Sequence, residues 1–154
     1  MSRYAATTAV SSEHRRAEIE RTLRRYGADG FAYATQGRRA MVEFAMTGRR
    51  VRFTLTLPDP SDERFTLTPT GRDRTQAAAE REYEQAVRQS WAALALVIKA
   101  KLEAIEAGIS TLDAEFLAGI VLPDGSTVGE RTVPQIDAAY AGSTLPALLP
   151  GGAR

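Results

Sequence analysis

Tyr83, Val87, Trp91, Leu94, Ile98, Leu102 and Ile105 fall four, four, three, four, four and three residues apart. That spacing keeps large apolar side chains on one side of a single long helix. Thr75 opens the pattern and Gly108 stops it, so the helix is predicted from Thr75 to Ala107. At ~1.5 Å per residue it is ~50 Å long, more than a small domain is wide. Such a helix must bend, overhang, or pack against another subunit. Trp91 to Ile98 is apolar nearly all round, which predicts enclosure on more than one side.

The segments before this helix carry a different period. Ala40 to Met46 alternates, with Val42, Phe44 and Met46 on one face. Val51 to Leu57 alternates more cleanly, with Val51, Phe53, Leu55 and Leu57 inward and Arg50, Arg52, Thr54 and Thr56 outward. Phe31 to Thr35 adds a shorter strand, and Gln36-Gly37 and Thr47-Gly48 are turn signals. Together these predict a three-strand antiparallel meander with one face turned to a core. Ahead of it, Ser11 or Ser12 caps a helix running to about Tyr26, with Ile19, Leu23 and Tyr26 on its buried stripe. Pro58 to Arg74 reads as a surface loop with a short strand at Arg64 to Leu67.

Beyond Gly108, Ser110 and Asp113 form a capping-box pattern that starts a third helix running to about Leu117. Ile120-Val121-Leu122, Pro123-Asp124-Gly125-Ser126 and Thr127-Val128 read as a small hairpin, and Thr132 caps a last helix from Val133 to Tyr140. The expected fold is therefore α+β: an N-terminal helix, a three-stranded antiparallel meander, a long helix, then a helix–β-hairpin–helix appendix. Residues 1–10 are expected to be a flexible N-terminus and 11–141 one domain. Residues 142–154 are expected to form an extended arm that docks through Leu145, Leu148 and Leu149.

Composition narrows the function classes. A chain of 154 residues with 44% hydrophobic and 25% charged residues has material for one core, which excludes disordered and collagen-like readings. With no Cys and one His, thiolate zinc sites and the usual two-His metal sites are excluded. The longest apolar run, Ala92 to Ala100, is interrupted by Lys99 and is far short of the ~20 residues that cross a bilayer. The N-terminus lacks a signal-peptide core, so the expected location is the cytoplasm.

No catalytic grammar stands out. His14 and Glu18 lie one helical turn apart, an ordinary arrangement on a charged helix. Pro58-Asp59 follows a strand as in restriction-type nucleases, but the acid–residue–Lys triplet that must come next is missing. There is no Gly-Xaa-Ser-Xaa-Gly elbow, and Thr70 to Thr75 lacks the glycines and Lys of a phosphate loop. The expectation is a non-enzymatic protein with no metal and no cofactor.

Charge is uneven. Residues 1–58 sum to +6 and residues 59–154 to −5, and 18 of the 20 basic residues are Arg. A GC-rich genome accounts for Arg over Lys but not for the placement. Arg38 and Arg39 begin the middle strand, and Arg49, Arg50 and Arg52 line the following turn and outward face. Arg72 and Arg74 precede the long helix, whose N-terminus favours an anion. These seven are the candidate phosphate contacts of a nucleic-acid-binding surface. The bland reading makes them a solvated sheet face and edge guard. The alternative function is a protein-interaction module, either an inhibitor of another protein or an oligomeric scaffold. It would use Tyr83, Trp91 and Val97 of the long helix as interface, with homo-oligomerisation compatible with both readings.

Two resemblances bear on these expectations. Helix, meander and helix over residues 11–107, with Gly71, Arg72, Arg74 and Ala77-Ala78-Ala79 at the second helix start, is similar to the double-stranded RNA-binding domain. There, basic residues at that point cross the phosphates of a groove. A meander followed by a long helix is also similar to the core of single-strand annealing proteins. More broadly, Ala17 to Gly27, Trp91 to Gly108 and Ile120 to Gly125 resemble small uncharacterised proteins of phages and prophages of GC-rich bacteria. That resemblance implies the cytoplasm of a bacterial host cell, with work on replicating DNA or, for an inhibitor module, against a host defence protein, and brings no site residues with it.

Overall fold

The computed structural model describes the backbone of residues 3–142 and the side chains of residues 12–142. Helix α1 spans Arg3–Arg25, followed by strands β1 (Gly30–Gln36), β2 (Arg39–Met46) and β3 (Arg49–Thr56). Then come α2 (Glu63–Thr66), the long α3 (Gln76–Glu106), α4 (Leu112–Glu115), a 3₁₀ turn (Leu117–Gly119) and α5 (Val128–Gly142). The predicted start of α1 at Ser11 or Ser12 lies inside the helix, and Ser12 is buried there. The predicted arm with Leu145, Leu148 and Leu149 lies outside the described residues.

The sheet is the expected meander, in the order β1-β2-β3 with both pairs antiparallel. Its register sets Phe31 beside Phe44 and Tyr33 beside Val42, then Val42 beside Phe53 and Phe44 beside Val51. Because side chains alternate, these residues share the inner face, and Ala32, Ala34, Met41, Glu43, Arg50, Arg52 and Thr54 share the outer one. The β2–β3 turn places Thr47 at φ 47° and Gly48 at φ 75°. This two-residue left-handed turn matches strand twist, and glycine enters that conformation without the Cβ clash that Thr47 bears.

Trp91, Phe44, Ile19, Leu23, Ile98 and Leu102 are among the fully buried side chains and draw sheet, α1 and α3 into one core. Tyr33 meets Trp91 at 5.8 Å between centroids, and Phe44 meets Phe116 edge-on at 5.3 Å. The core and its neighbours show what α3 packs against along its length. α1 packs along it. Phe65 of α2 meets Tyr83 near its start at 5.5 Å, and Lys101 near its end donates to the Glu115 carbonyl at 2.6 Å.

Four further expectations need correction. The strand predicted at Arg64–Leu67 is helix α2, because the Asp62 carboxylate accepts from the Arg64 N–H and Phe65 turns into the core. The third helix starts one residue later than predicted, with Thr111 rather than Ser110 as its cap. Trp91 to Ile98, expected to be enclosed on more than one side, is enclosed less than its composition suggests and keeps an open side: Leu96 is 69% and Val97 45% exposed.

The fourth correction concerns the appendix, which is not helix–β-hairpin–helix but α4, the 3₁₀ turn and α5. The Pro-Asp-Gly turn forms, with Gly125 N–H donating to the Leu122 carbonyl at 2.9 Å. Its two sides, however, make only the isolated bridge Val121–Thr127. The first side also pairs outward, Val121 N–H donating to the Arg50 carbonyl of β3 at 2.8 Å, while Leu122 N–H and the Ile120 carbonyl stay bonded to Ser126 and Val128. The second is consumed by a helix start. Thr127 Oγ1 accepts from the Glu130 N–H at 3.2 Å while the Glu130 carboxylate accepts from the Thr127 N–H at 2.8 Å. This reciprocal capping box begins α5 at Val128, well ahead of the predicted cap at Thr132. Pro134 consequently sits inside the helix, where it leaves the Glu130 carbonyl without its usual donor.

Candidate functional site

The seven candidate arginines do not share one patch: the register sets Arg39 and Arg49 at opposite ends of the β2–β3 ladder, Arg72 and Arg74 belong to the loop before α3, and most of the seven are already engaged. Glu43, on the outer face of the central strand, stands between two of them. Its Oε1 accepts from Arg50 Nε at 2.8 Å and its Oε2 from Arg52 Nε at 3.0 Å. Arg52 also donates to the Gly125 carbonyl at 2.8 Å, tying the sheet to the turn before α5. Arg49 grips Asp113 with two parallel bonds of 3.0 and 3.2 Å. Arg38 faces Asp59 at 3.9 Å, and Arg74 donates to the Leu67 carbonyl at 2.8 Å with Glu82 at 3.5 Å. Among the described residues, only Arg39 and Arg72 of the seven have no carboxylate within 4.0 Å.

The electrostatics follow from these bonds. Partial burial pushes the Glu43 carboxyl up, and the hydrogen bonds and charges of Arg50 and Arg52 outweigh it, leaving its pKa below the ordinary glutamate value. Asp124 accepts from the Ser126 hydroxyl, from Arg131 and from the Ser126 N–H, which hold its pKa down to about 2. Both carboxylates are locked as anions, the opposite of what a proton-transfer group near neutrality needs. His14 is exposed, and Glu18, its presumed helical partner, is bonded to Arg15 at 2.8 Å. Among the described residues no cluster of three metal-ligating side chains exists, and no helix is long and apolar enough to cross a membrane. A shallow dish of about 590 Å³ lies over the outer sheet face, lined by Gln36, Arg39, Met41, Arg52, Thr54 and Glu130 among others. It holds no activated nucleophile.

The three interface candidates separate. Tyr83 is 6% and Trp91 0% exposed, both within the core of this chain, so neither meets a partner while the fold is intact. Val97 faces outward beside Leu96.

A residue set that the sequence reading did not single out is more conspicuous. None of the fifteen residues of α5 is buried. Its inward positions are Val128, Thr132, Gln135 and Ala139, spaced four, three and four, all partly covered and mostly small or polar. The Gln135 side-chain carbonyl is enclosed there without a donor. The larger apolar side chains point elsewhere: Val133 is 54%, Ile136 38% and Tyr140 90% exposed, and Leu117 on the neighbouring 3₁₀ turn is 53% exposed. α5 thus turns its weaker side to its own domain and its stronger side to solvent. The signal was present in the sequence as apolar residues three and four apart. It was obscured because a helix begun at Thr132 gives no reason to ask which side faces in.

Matched against protein-family models, curated proteins and solved structures, the chain is similar to none of them, so its function is read from these residues.

Proposed function

We propose that this chain is a non-enzymatic protein-interaction module that docks through the outward side of α5. The observation that supports it is the inverted placement on α5, with Val133, Ile136 and Tyr140 in water and Thr132, Gln135 and Ala139 against the domain. A short helix owes its stability in water mainly to burying an apolar face, and these three side chains are left 54%, 38% and 90% exposed. Their spacing is i, i+3 and i+7, the anchor pattern of a helix laid into an apolar groove of another protein. Three such anchors are too few for a stable flat interface between two copies, which needs about 1,200 Å² or more in total. A groove that wraps the helix is the occupant that fits. Asp137 stands one turn from Val133, so the rim of that groove should be basic. An inhibitor of another protein and a scaffold subunit both work through such a face.

The nucleic-acid reading draws less support. A phosphate approaching Arg50 or Arg52 must displace Glu43, and one approaching Arg49 must displace Asp113.

The test places a photo-reactive residue at Tyr140 of the full chain in the cells that make it. A discrete adduct is expected that disappears when Val133→Asp is added and persists when Arg88→Glu is added instead. No adduct, or one indifferent to Val133→Asp, refutes the proposal.

A further inference from the structure

The sheet has two edges, and they are treated differently. β3 is closed on its outer side by the chain after the 3₁₀ turn, through the Val51–Ile120 bridge and the Val121 N–H bond to Arg50. Gly119 fits there because a Cβ would come within 2.8 Å of the Arg52 carbonyl. β1 pairs with β2 alone: among the described residues no strand pairs with its other side, and the Arg16 guanidinium of α1 lies over the Tyr33 ring at 4.4 Å. An open edge is a template for another strand, and proteins usually blunt it with charge or proline. β1 has neither: Gly30–Gln36 reads Gly-Phe-Ala-Tyr-Ala-Thr-Gln, whereas β2 and β3 carry Arg39, Glu43, Arg49, Arg50 and Arg52.

We infer that β1 pairs antiparallel with β1 of a second copy of this chain, about a two-fold axis at Tyr33, making one six-stranded sheet. Three features favour a second copy over an unrelated peptide. The strand is uncharged, so an identical strand meets it without like-charge repulsion and a charged peptide finds no complement. Centring on Tyr33 uses all seven residues, setting Ala32 opposite the partner's Ala34, Phe31 opposite the partner's Thr35 and Gly30 opposite the partner's Gln36. A two-fold contact of this kind closes on itself, so it stops at two copies. Roughly six to eight backbone hydrogen bonds would form along it, in the alternating pairs of an antiparallel ladder. Ala32 and Ala34 are exposed on the outer face, where their small side chains leave the joined sheet unobstructed.

The inference is independent of the α5 reading, and sedimentation equilibrium of the full chain over a wide concentration range tests it. Wild type should reach twice its 16.7 kDa mass. Ala32→Lys with Ala34→Lys sets lysine opposite lysine twice and should weaken the dimer at least tenfold. Ala32→Lys with Ala34→Glu sets each introduced lysine opposite an introduced glutamate and should restore it. Both positions are exposed, so folding, followed by circular dichroism, should not change. A wild type that stays monomeric overturns the inference. So does a dimer that survives the double lysine variant but is lost with Val133→Asp, or one that the charge-reversed pair fails to restore.

Discussion

Glu43→Gln isolates what the sheet arginines do. The wild-type carboxylate is only 13% exposed and bonds Arg50 and Arg52 at 2.7–3.0 Å. At an effective dielectric near 20, one such pair is worth about 4 kcal/mol in gross attraction at 4 Å. Most of that is cancelled by desolvation, and Arg50, at 58% exposed, contributes little. The better-covered Arg52, 20% exposed, keeps more, so a net loss of about 1–2 kcal/mol is expected, or roughly 3–8 °C in Tm for a domain of this size. The pH dependence has a definite sign. The folded pKa of Glu43 is lowered, so its contribution is fully present above the unfolded glutamate value of about 4.3 and is lost as pH falls through the lower folded value. Thermal melts of wild type and variant should differ at pH 7 and converge below about pH 4. Equal stability at pH 7, or a difference that persists undiminished into acid, refutes the reasoning. The same variant takes the carboxylate from between two guanidinium groups, so any weak attraction to duplex DNA at low salt should rise in it above wild type.

Further outcomes follow from the packing. Trp91→Ala removes a fully buried indole and should cost about 3–5 kcal/mol by denaturant titration, whereas Val97→Ser, on the outward side of α3, should stay within about 0.5 kcal/mol of wild type. Thr127→Ala breaks the reciprocal cap and should lower stability by about 1 kcal/mol, with amide exchange accelerating first in α5. Fluorescence anisotropy of labelled single- and double-stranded nucleic acid should show no binding tighter than the non-specific range of about 10⁻⁴–10⁻⁶ M at physiological salt. Affinity well beyond that, falling steeply with added salt, would return the arginine surface to the leading position.

Periodicity in the sequence was enough for the helix–meander–helix frame. Val42, Phe44 and Val51 alternate, Ile19 and Leu23 stack, and Tyr83 to Leu102 forms a stripe, and each pattern has one good burial solution. What followed Gly108 was less legible because short elements there are settled by single competing bonds. Thr127 can serve either a hairpin ladder or a helix cap, and the reach of Glu130 back to its N–H decides the matter. The arginines illustrate a different limit. Their number and sheet placement were visible, but Asp113, 64 residues from Arg49, and Glu82, eight from Arg74, become partners only once the chain is folded. Burial of Trp91 within its own chain was likewise a tertiary outcome, since a helical stripe looks the same whether a sheet or a partner covers it.

Site-by-site photo-crosslinking of the full chain in its producing cells tests the central claim most directly. The account predicts protein adducts at Val133, Ile136 and Tyr140, with none at the inward Thr132 and Ala139 and none at Arg39, Arg50 or Thr54 on the outer sheet face. Adducts concentrated on the sheet face, with α5 silent, would contradict it.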